Sequence, residues 1–442
     1  MARRRKRLPE GEFDAIIESL SADGRGVAHL DGKAVFVHGA LPDERVRFRY
    51  TRRQRRHDEG VVTEVIEASP DRVEPRCAHF GVCGGCSLQH LAPAAQVVAK
   101  QQALLDAFTR IGKVTPERWL EPLRAERSWG YRAKARLGVK FVEKKGKVLV
   151  GFRERGSSFV ADLTACEVLD PRVGCRIESL STLIGGLSIR NRVAQVEVAL
   201  GEGDGALILR VLDEPRESDL ERMRAFAAES GLCLYLQPSG PDSIVPLDEP
   251  ARLYYELPQW GLRLAFLPTD FTQVNAAMNR RMVAQALALL DPQPDERVLD
   301  LFCGLGNFTL PLAREAGSVV GVEGDRALVS RARENATANG IDNARFYTAN
   351  LYEPLEGEPW LRESFDKVLL DPPRSGALEI LPELGRLRPR RIVYVSCYPG
   401  TLARDAGELV QRHGYRLAAA GVMDMFPHTG HVESIAVFER EK

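Results

Sequence analysis

One cysteine and one glutamate have types and positions that suggest chemistry. Cys397 follows the strand-like run Arg391–Ser396, and the chain turns at once through Tyr398-Pro-Gly400. In open α/β sheets, groups just beyond the carboxyl end of a strand face the ligand crevice. Glu433 is an isolated carboxylate in the apolar run His431–Glu439. We predict a nucleophile and a base. The simpler alternatives are a buried cysteine and a solvent-exposed strand face.

A turn containing two glycines lies upstream and predicts a cofactor site. Asp300-Leu-Phe-Cys-Gly-Leu-Gly306 follows an apolar run and precedes a helical stretch, and Glu323 ends the next apolar run. Backbone amides in such a turn approach a ligand closely, and a carboxylate about twenty residues further on binds ribose hydroxyls. A dinucleotide fingerprint needs a third glycine, but Thr309 occupies that position. S-adenosylmethionine therefore fits the turn better than NAD.

A rigid loop follows another apolar run, Lys367–Leu370. Its sequence is Asp371-Pro-Pro373, and prolines stiffen a loop that holds substrate or cofactor at the sheet edge. Enzymes that methylate exocyclic amines usually have Tyr or Phe after such a loop. Arg374 stands there instead, which argues against an amine as the methyl acceptor.

The remaining chemistry suits a carbon acceptor, C5 of uracil. This carbon becomes nucleophilic only after a thiolate has added to C6, and a base must later remove the C5 proton so that the thiol can leave. Cys397 and Glu433 supply one group of each kind. His428 and His431 are alternatives for the proton transfer.

A separate group of cysteines has the spacing of a metal site. Cys77-x5-Cys83-x2-Cys86 offers three thiolates in one glycine-containing loop, and Cys166 is the candidate fourth ligand. Four thiolates suit an iron–sulfur cluster or a structural zinc ion, and spacing alone leaves both open. Eight unevenly spaced cysteines indicate metal binding or catalysis and not a disulfide framework.

The segments that carry these residues predict an α/β protein with additional β structure. In the last third, apolar runs alternate with helical stretches, which indicates βαβ units and a parallel sheet. Residues 11–73 alternate apolar and polar positions between turns, which predicts a small antiparallel β barrel. Residues 131–257 again read as β. Arginines between Arg45 and Arg56, and the basic face of Tyr131–Phe141, suit RNA phosphates or an ordinary solvated surface.

Bulk properties exclude some classes of protein. A chain of 442 residues is long enough for two or three domains. No apolar run approaches the ~20 residues needed to span a bilayer, and the basic start Ala2–Arg7 lacks the apolar core of a signal peptide. We expect a cytoplasmic monomer without membrane contact. Because the formal net charge is zero, RNA binding would depend on local basic patches.

Together these motifs resemble the S-adenosylmethionine-dependent RNA (uracil-C5)-methyltransferases. The resemblance implies that Cys397 is the nucleophile and Glu433 the proton-abstracting base. One departure is Tyr398, where the family usually has asparagine after the cysteine. The matching segments are Phe271–Asn275, Asp300–Asn307, Glu323, Asp371–Gly376, Ser396–Asp405 and His431–Glu433. The implied cofactor-binding residues are Gln273, Phe302, Asn307, Glu323, Asn350 and Asp371.

The resemblance also bears on the cysteine group and on the partner. Ribosomal-RNA members carry this cysteine spacing with a [4Fe-4S] cluster, which implies ligation by Cys77, Cys83, Cys86 and Cys166, and their N-terminal barrel is a TRAM domain that binds RNA. Transfer-RNA members are similar in the last third but lack the barrel and the cluster. The expected partner is 23S rRNA. Methylation at another 23S position or in tRNA, and a non-catalytic RNA-binding role, remain alternatives.

The implied layout has four parts. A basic tail covers residues 1–11, and a TRAM barrel covers residues 12–74. A β-rich central domain with the iron–sulfur cluster combines residues 75–93 and 129–262. A Rossmann-like class I methyltransferase domain combines residues 94–128 and 263–442.

Overall fold

The computed structural model describes residues 8–440, so most of the predicted basic tail lies outside the described residues. The N-terminal part is one sheet in the order β1-β5-β6-β4-β3-β2. Its core includes Val37, Val46 and Phe48, which alternate with outward polar residues. The strands are β1 (Phe13–Ile16), β2 (Ser19–Leu20), β3 (Gly26–Leu30), β4 (Lys33–His38), β5 (Arg45–Arg53) and β6 (His57–Glu67).

One expectation about this sheet is corrected. Strands β4 and β6 pair in parallel, and β5, which lies between them in sequence, pairs antiparallel with β6. The barrel is therefore not purely antiparallel. The arginine-rich strand β5 lies inside the sheet, between β1 and β6. Arg47 on β5 contacts Asp14 at 2.9 Å and Glu64 at 2.8 Å, so part of its charge is already paired.

A connecting segment joins this sheet to the remainder of the chain. It contains the loop of residues 75–92, which carries Cys77, Cys83 and Cys86 and is called the cysteine loop, then helix α1 (Pro93–Ala107) with a wider final turn over Phe108–Gly112, and the short strand β7 (Arg118–Trp119). Proline at the start of α1 suits the first helical turn, where its missing N–H has no intrahelical acceptor. Leu104 and Phe108 are fully buried in the core of the C-terminal sheet.

The central part is a six-stranded sheet in the order β13-β12-β11-β10-β8-β9. Helices cover it, which the sequence interpretation missed because it read only the β pattern here. Its strands are β8 (Lys134–Val142), β9 (Lys147–Gly151), β10 (Val193–Leu200), β11 (Gly205–Val211), β12 (Cys233–Gln237) and β13 (Val245–Pro246). Its helices are α2 (Pro171–Gly174), α3 (Ile177–Gly185) and α4 (Glu217–Ser230), and the hairpin β14 (Tyr254–Leu257) and β15 (Leu262–Ala265) follows.

The C-terminal part is an eight-stranded sheet in the order β18-β17-β16-β19-β20-β22-β21-β7. Strands β16 to β20 are parallel neighbours, and β22 pairs antiparallel with β20 and β21. The strands are β16 (Arg297–Leu301), β17 (Ser318–Glu323), β18 (Ala344–Thr348), β19 (Lys367–Leu370), β20 (Arg391–Ser396), β21 (Tyr415–Met423) and β22 (Glu433–Arg440). The helices are α5 (Ala276–Leu290), α6 (Thr309–Glu315), α7 (Arg326–Ala338), α8 (Leu381–Leu387) and α9 (Pro399–Arg412).

The predicted alternation of strands and helices in the last third is confirmed. Helices cover both faces of the parallel strands, which explains why those strands are continuous apolar runs. The antiparallel end of the sheet brings β22 beside β20, and β7 adds an unpredicted outer strand. Within residues 8–440, no helix combines the length and apolar character needed to cross a membrane.

Candidate active site

The eight residues predicted for cofactor binding and catalysis line one cavity of about 640 Å³. It lies at the carboxyl ends of strands β16, β17, β19 and β20. Neighbouring parallel strands present their ends at the same sheet edge, so segments far apart in sequence meet there. The eight are Gln273, Phe302, Asn307, Glu323, Asn350, Asp371, Cys397 and Glu433.

The turn after β16 shapes the floor of this cavity. Phe302 has a positive φ of 64°, a backbone conformation that a bulky residue rarely adopts and that often marks a functional site. Gly304 also has a positive φ, and a side chain there would project into open space at the cavity wall. The Gly304 N–H donates to the Glu323 carboxylate at 3.1 Å, and the Asp325 N–H donates to its other oxygen at 3.0 Å. The turn and the end of β17 therefore hold each other in place.

The amide of Asn307 is oriented by two residues that the sequence did not reveal. Asn279 on α5 forms reciprocal hydrogen bonds with Asn307 at 2.9 and 3.0 Å, and the Tyr255 hydroxyl donates to Asn307 Oδ1 at 2.9 Å. Asn279 lies one helical turn beyond Asn275, the N-cap of α5. A second asparagine on the same face at the start of this helix was the signal that could have indicated a polar contact with the site. Tyr255 comes from the β14–β15 hairpin, and its sequence context carried no signal.

Buried carboxyl groups mark the cofactor end of the site. Burial raises the pKa of Asp371 to about 7. Burial also raises the pKa of Asp300 to about 8, although a hydrogen bond from the Thr309 hydroxyl at 2.5 Å acts in the opposite direction. One Asp300 oxygen has no hydrogen-bond partner. The acidic residues Glu323 and Asp371 and the apolar wall of Phe302 suit a cationic ligand with an aromatic ring. These residues fit S-adenosylmethionine.

Strand pairing brings the thiol and the glutamate together. Ser396 on β20 pairs with Ser434 on β22, so Cys397 and Glu433 each lie one residue from that pair. Glu433 is only 3% exposed, so the alternative of a solvent-exposed strand face is wrong. Burial, reinforced by the charge of Asp371, raises the pKa of Glu433 to about 8. The Cys397 thiol is partly exposed, and burial followed by the Glu433 and Asp371 charges raises its pKa to about 11.

Arg374 is a cation beside this pair. Its positive charge acts to lower the pKa of both Cys397 and Glu433, against the effect of burial. Its guanidinium lies 2.7 Å from His431 Nδ1. Burial and the Arg374 charge lower the pKa of His431 to about 4, so this ring is neutral at neutral pH and its Nδ1 accepts the hydrogen bond. His428 does not line the cavity and stacks on Trp129 at 3.9 Å.

A second groove, of about 520 Å³, meets the first cavity at the thiol. The two share Cys397, Arg374 and His431. We call it the entrance groove. Its walls come from the N-terminal sheet, the cysteine loop, helix α1 and the start of α9. The thiol can therefore contact a ligand on either side, a cofactor in the cavity and a second substrate in the groove.

The four predicted metal-binding cysteines line one small cavity between the cysteine loop and the central domain. All four are free thiols, and Cys166 comes from the chain between β9 and α2. Burial, with the neighbouring cysteines contributing, raises the pKa of Cys86 to about 12; burial raises that of Cys166 to about 11. Across residues 8–440, no three Cys, His, Asp or Glu side chains already form a metal-ligand group. Four thiolates are the ligand type that a thiophilic metal centre takes, and the side chains would have to rotate toward one another to ligate it.

The fold and the cavity define a Rossmann-like methyltransferase preceded by a small β domain. Residues 261–441 match the tRNA (Uracil-5-)-methyltransferase family profile, and residues 9–56 match the TRAM domain. The chain is 60% identical to the 23S rRNA (uracil(1939)-C(5))-methyltransferase RlmD of Alkalilimnicola ehrlichii, covering 100% of this chain and 99% of the relative. It is 55% identical to the enzyme of the same name from Methylococcus capsulatus, covering 99% of each. The chain belongs to the 23S rRNA (uracil(1939)-C(5))-methyltransferase RlmD family.

A solved structure has the same fold over nearly the whole length. It is the Pyrococcus abyssi tRNA (uracil-54, C5)-methyltransferase in complex with S-adenosyl-L-homocysteine, with a TM-score of 0.74 at 24% identity. The match covers 96% of this chain and 99% of the other. The expectation that transfer-RNA enzymes resemble only the last third is therefore wrong, since the shared fold extends through the N-terminal β domain.

Proposed function

We propose that this protein transfers a methyl group from S-adenosylmethionine to C5 of uracil 1939 in 23S rRNA, in the cytoplasm. The observation that carries the proposal is the placement of Cys397. It lies where the cofactor cavity and the entrance groove meet, with the buried carboxyl of Glu433 on the adjacent strand. The full-length identity to RlmD enzymes supports rRNA as the substrate over tRNA, since the fold itself is shared with a tRNA enzyme.

The reaction needs a methyl donor, and six residues that line the cavity are proposed to hold it. S-adenosylmethionine supplies an electrophilic methyl group on a positively charged sulfur. Glu323 is positioned for the ribose hydroxyls. The amide of Asn307, fixed by Asn279 and Tyr255, is presented to the same cavity. The six proposed contacts are Gln273, Phe302, Asn307, Glu323, Asn350 and Asp371.

The chemical steps follow from the two reactive side chains. The Cys397 thiolate adds to C6 of the uracil, and the electron pair displaced from the C5–C6 bond makes C5 nucleophilic. After C5 has taken up the methyl group, with S-adenosylhomocysteine as the by-product of the broken sulfur–methyl bond, Glu433 accepts the C5 proton and the thiolate leaves C6 with re-formation of the double bond. The raised pKa of Glu433 makes it a stronger base than an exposed glutamate, and the Arg374 cation favours the thiolate.

The four cysteines Cys77, Cys83, Cys86 and Cys166 are proposed to hold a [4Fe-4S] cluster. When bound, it would join the cysteine loop to the central domain through four thiolate ligands. That loop contacts the segment before β22: the Ser87 and Leu88 N–H groups donate to the His428 carbonyl at 2.9 and 3.0 Å. These contacts support a structural role for the proposed cluster, since the loop contacts the segment that leads into the strand carrying Glu433.

Methyl transfer from tritiated S-adenosylmethionine to a 23S rRNA fragment tests the mechanism. Cys397→Ala should abolish transfer while RNA still binds. Glu433→Gln should accumulate a covalent RNA–protein adduct that survives a denaturing gel, because the C5 proton is no longer removed. Cys175→Ala is the matched control, since Cys175 is exposed and outside both cavities. Full activity of Cys397→Ala would overturn the mechanism.

The target position is tested in cells that lack the gene. Mapping of 5-methyluridine should show loss at position 1939 of 23S rRNA and restoration by the wild-type chain but not by Cys397→Ala. Loss at a different rRNA position, or in tRNA, would contradict the proposed substrate. For the metal centre, stoichiometric zinc without iron or brown absorbance in protein purified without oxygen would refute the cluster.

A further inference from the structure

Tyr398, the residue after the nucleophile, is an aromatic side chain in the entrance groove. It is 50% exposed, whereas the neighbouring Val395 and Ser396 are buried. The ring lines the groove but not the cofactor cavity. A single exposed aromatic residue needs no explanation by itself. Its position next to Cys397 matters, because anything that reaches the thiol through the groove passes this ring.

The structure holds Tyr398 in one place. Its N–H donates to Ser396 Oγ at 3.2 Å, and its carbonyl accepts from Thr401 Oγ1 at 3.2 Å, so the turn fixes its backbone. The ring lies against Gly400: a Cβ at Gly400 would be 2.9 Å from a ring carbon. Glycine at that position leaves the space that the ring uses. A fixed ring loses little conformational freedom on binding, as a stacking surface requires.

The other walls of the groove complement a nucleotide. Arg132 and Arg374 both line it and supply positive charge for a phosphate. Ile111, which is 54% exposed, adds apolar surface from the end of the α1 segment. An RNA strand that delivers an unstacked base to Cys397 through this groove can place its neighbouring nucleotide against these walls. That nucleotide offers what these walls recognise, an unpaired π face and a phosphate.

We propose that the Tyr398 ring stacks on the base adjacent to the target uracil, with Arg132 at the intervening phosphate. The inference rests on the proposed function and adds a substrate-binding residue to it. Because a base–aromatic stack is sequence-tolerant, Tyr398 would add affinity for the unstacked strand and little base selectivity. It would also lower the cost of extracting the uracil, since it replaces a stacking partner that the neighbouring base has lost.

Steady-state kinetics with the 23S rRNA fragment separate this role from catalysis. Tyr398→Ala should raise KM for RNA by roughly 5- to 100-fold, the range that one lost stack represents, with smaller effects on kcat and on KM for S-adenosylmethionine. Tyr398→Phe should restore most of the affinity because it keeps the ring. Phe159→Ala is the matched control, since Phe159 is an exposed aromatic outside the groove.

Gly400→Ala provides a second test that leaves the tyrosine intact. The new Cβ should displace the ring and raise KM for RNA in the wild-type background, but have little further effect in Tyr398→Ala. Additive effects of the two changes would contradict the proposed arrangement. A direct readout is 2-aminopurine at the position beside the target: its fluorescence should be quenched by wild type and less so by Tyr398→Ala. Thermal unfolding of each variant checks that it is folded.

The outcomes distinguish this inference from the function beneath it. If wild type methylates the fragment but Tyr398→Ala has an unchanged KM for RNA, only the stacking role is overturned. A fall in kcat with unchanged KM would also overturn it and would mean that Tyr398 positions Cys397. If wild type forms no product and Glu433→Gln forms no covalent adduct, the proposed function itself fails.

Discussion

At the scale of single residues, burial and neighbouring charges set the pKa values of the groups in the site. The carboxyl groups of Glu433 and Asp371 and the thiol of Cys397 all have raised pKa values because burial disfavours their charged forms. Arg374 is the nearby cation that opposes this effect for Glu433 and Cys397. The site therefore contains groups whose protonation changes near neutral pH, as general base chemistry requires.

The rate at which the covalent adduct breaks down to 5-methyluridine should rise with pH through the region around 8. Glu433 acts in this step in its deprotonated form, and its pKa is raised to about 8. Arg374→Met should shift this rise to higher pH, because removal of the cation raises the pKa of Glu433 and Cys397 further. Arg386→Met, an exposed arginine on α8, is the control that should leave the profile in place. A shift to lower pH in Arg374→Met would contradict the electrostatic role.

Asn279→Leu should weaken cofactor binding selectively. The change removes both hydrogen bonds that fix the Asn307 amide from α5 and leaves this half-buried amide with fewer partners. We expect KM for S-adenosylmethionine to rise about tenfold. This corresponds to ~1.4 kcal/mol of binding free energy, near the upper end of what one hydrogen bond contributes. KM for RNA should change much less. Equal increases in both values would indicate general destabilisation and not orientation of Asn307.

At the scale of elements, helix α1 and the cysteine loop hold the segment that leads into β22. The Lys100 ammonium on α1 is buried and lies 2.6 Å from the Asp424 carboxylate and 2.9 Å from the Phe426 carbonyl. The Gly430 N–H donates to Ser87 Oγ in the cysteine loop at 3.0 Å. Two elements from outside the Rossmann-like sheet thus position the strand that carries Glu433.

Lys100→Met should lower the free energy of unfolding by about 3–5 kcal/mol, because it leaves the Asp424 charge buried without its partner. Lys100→Met combined with Asp424→Asn should recover part of the loss, since the isolated charge is gone. Denaturant unfolding of the single and double variants measures both effects. A double variant that is less stable than Lys100→Met would contradict this account.

Cys86→Ser should reduce both bound iron and methyl transfer. The thiolate is one proposed cluster ligand, and residue 86 immediately precedes the loop residues that contact His428 and Gly430. We expect iron content per chain to fall, together with the temperature of unfolding and kcat. Cys175→Ser should change none of these values. Unaltered iron content in Cys86→Ser would remove Cys86 from the ligand set.

At the scale of the whole molecule, part of the hydrophobic core of the C-terminal sheet comes from the connecting segment that precedes the central domain. Leu104 and Phe108 from the connecting segment are fully buried against this sheet, and β7 forms its outer strand. A chain that begins at residue 129 should therefore be largely insoluble on expression. A chain that begins at residue 75 keeps these contacts and should stay soluble and bind S-adenosylmethionine. Equal solubility of the two chains would contradict this dependence.

The sequence alone determined the features that depend on local pattern. The bounds of β19 and β20, the turn after β16 and the position of Cys397 at a strand end all follow from short-range periodicity, glycine and proline placement. The resemblance added the pairing of Cys397 with Glu433 and the set of cofactor residues. The strand bounds and the turn could be predicted because neighbouring residues in sequence specify them, whereas the roles of the site residues stay predictions.

Only the tertiary structure decided the features that depend on distant contacts. The burial of Glu433, the fixing of Asn307 by Tyr255 and the cation of Arg374 beside the thiol arise from segments far apart in sequence. A pKa depends on desolvation and on charges arranged in space, and a strand pattern contains neither. The entrance groove likewise exists only where the N-terminal sheet, α1 and α9 meet. For that reason the candidate chemistry could be predicted from the sequence, whereas the groove beside the thiol could not.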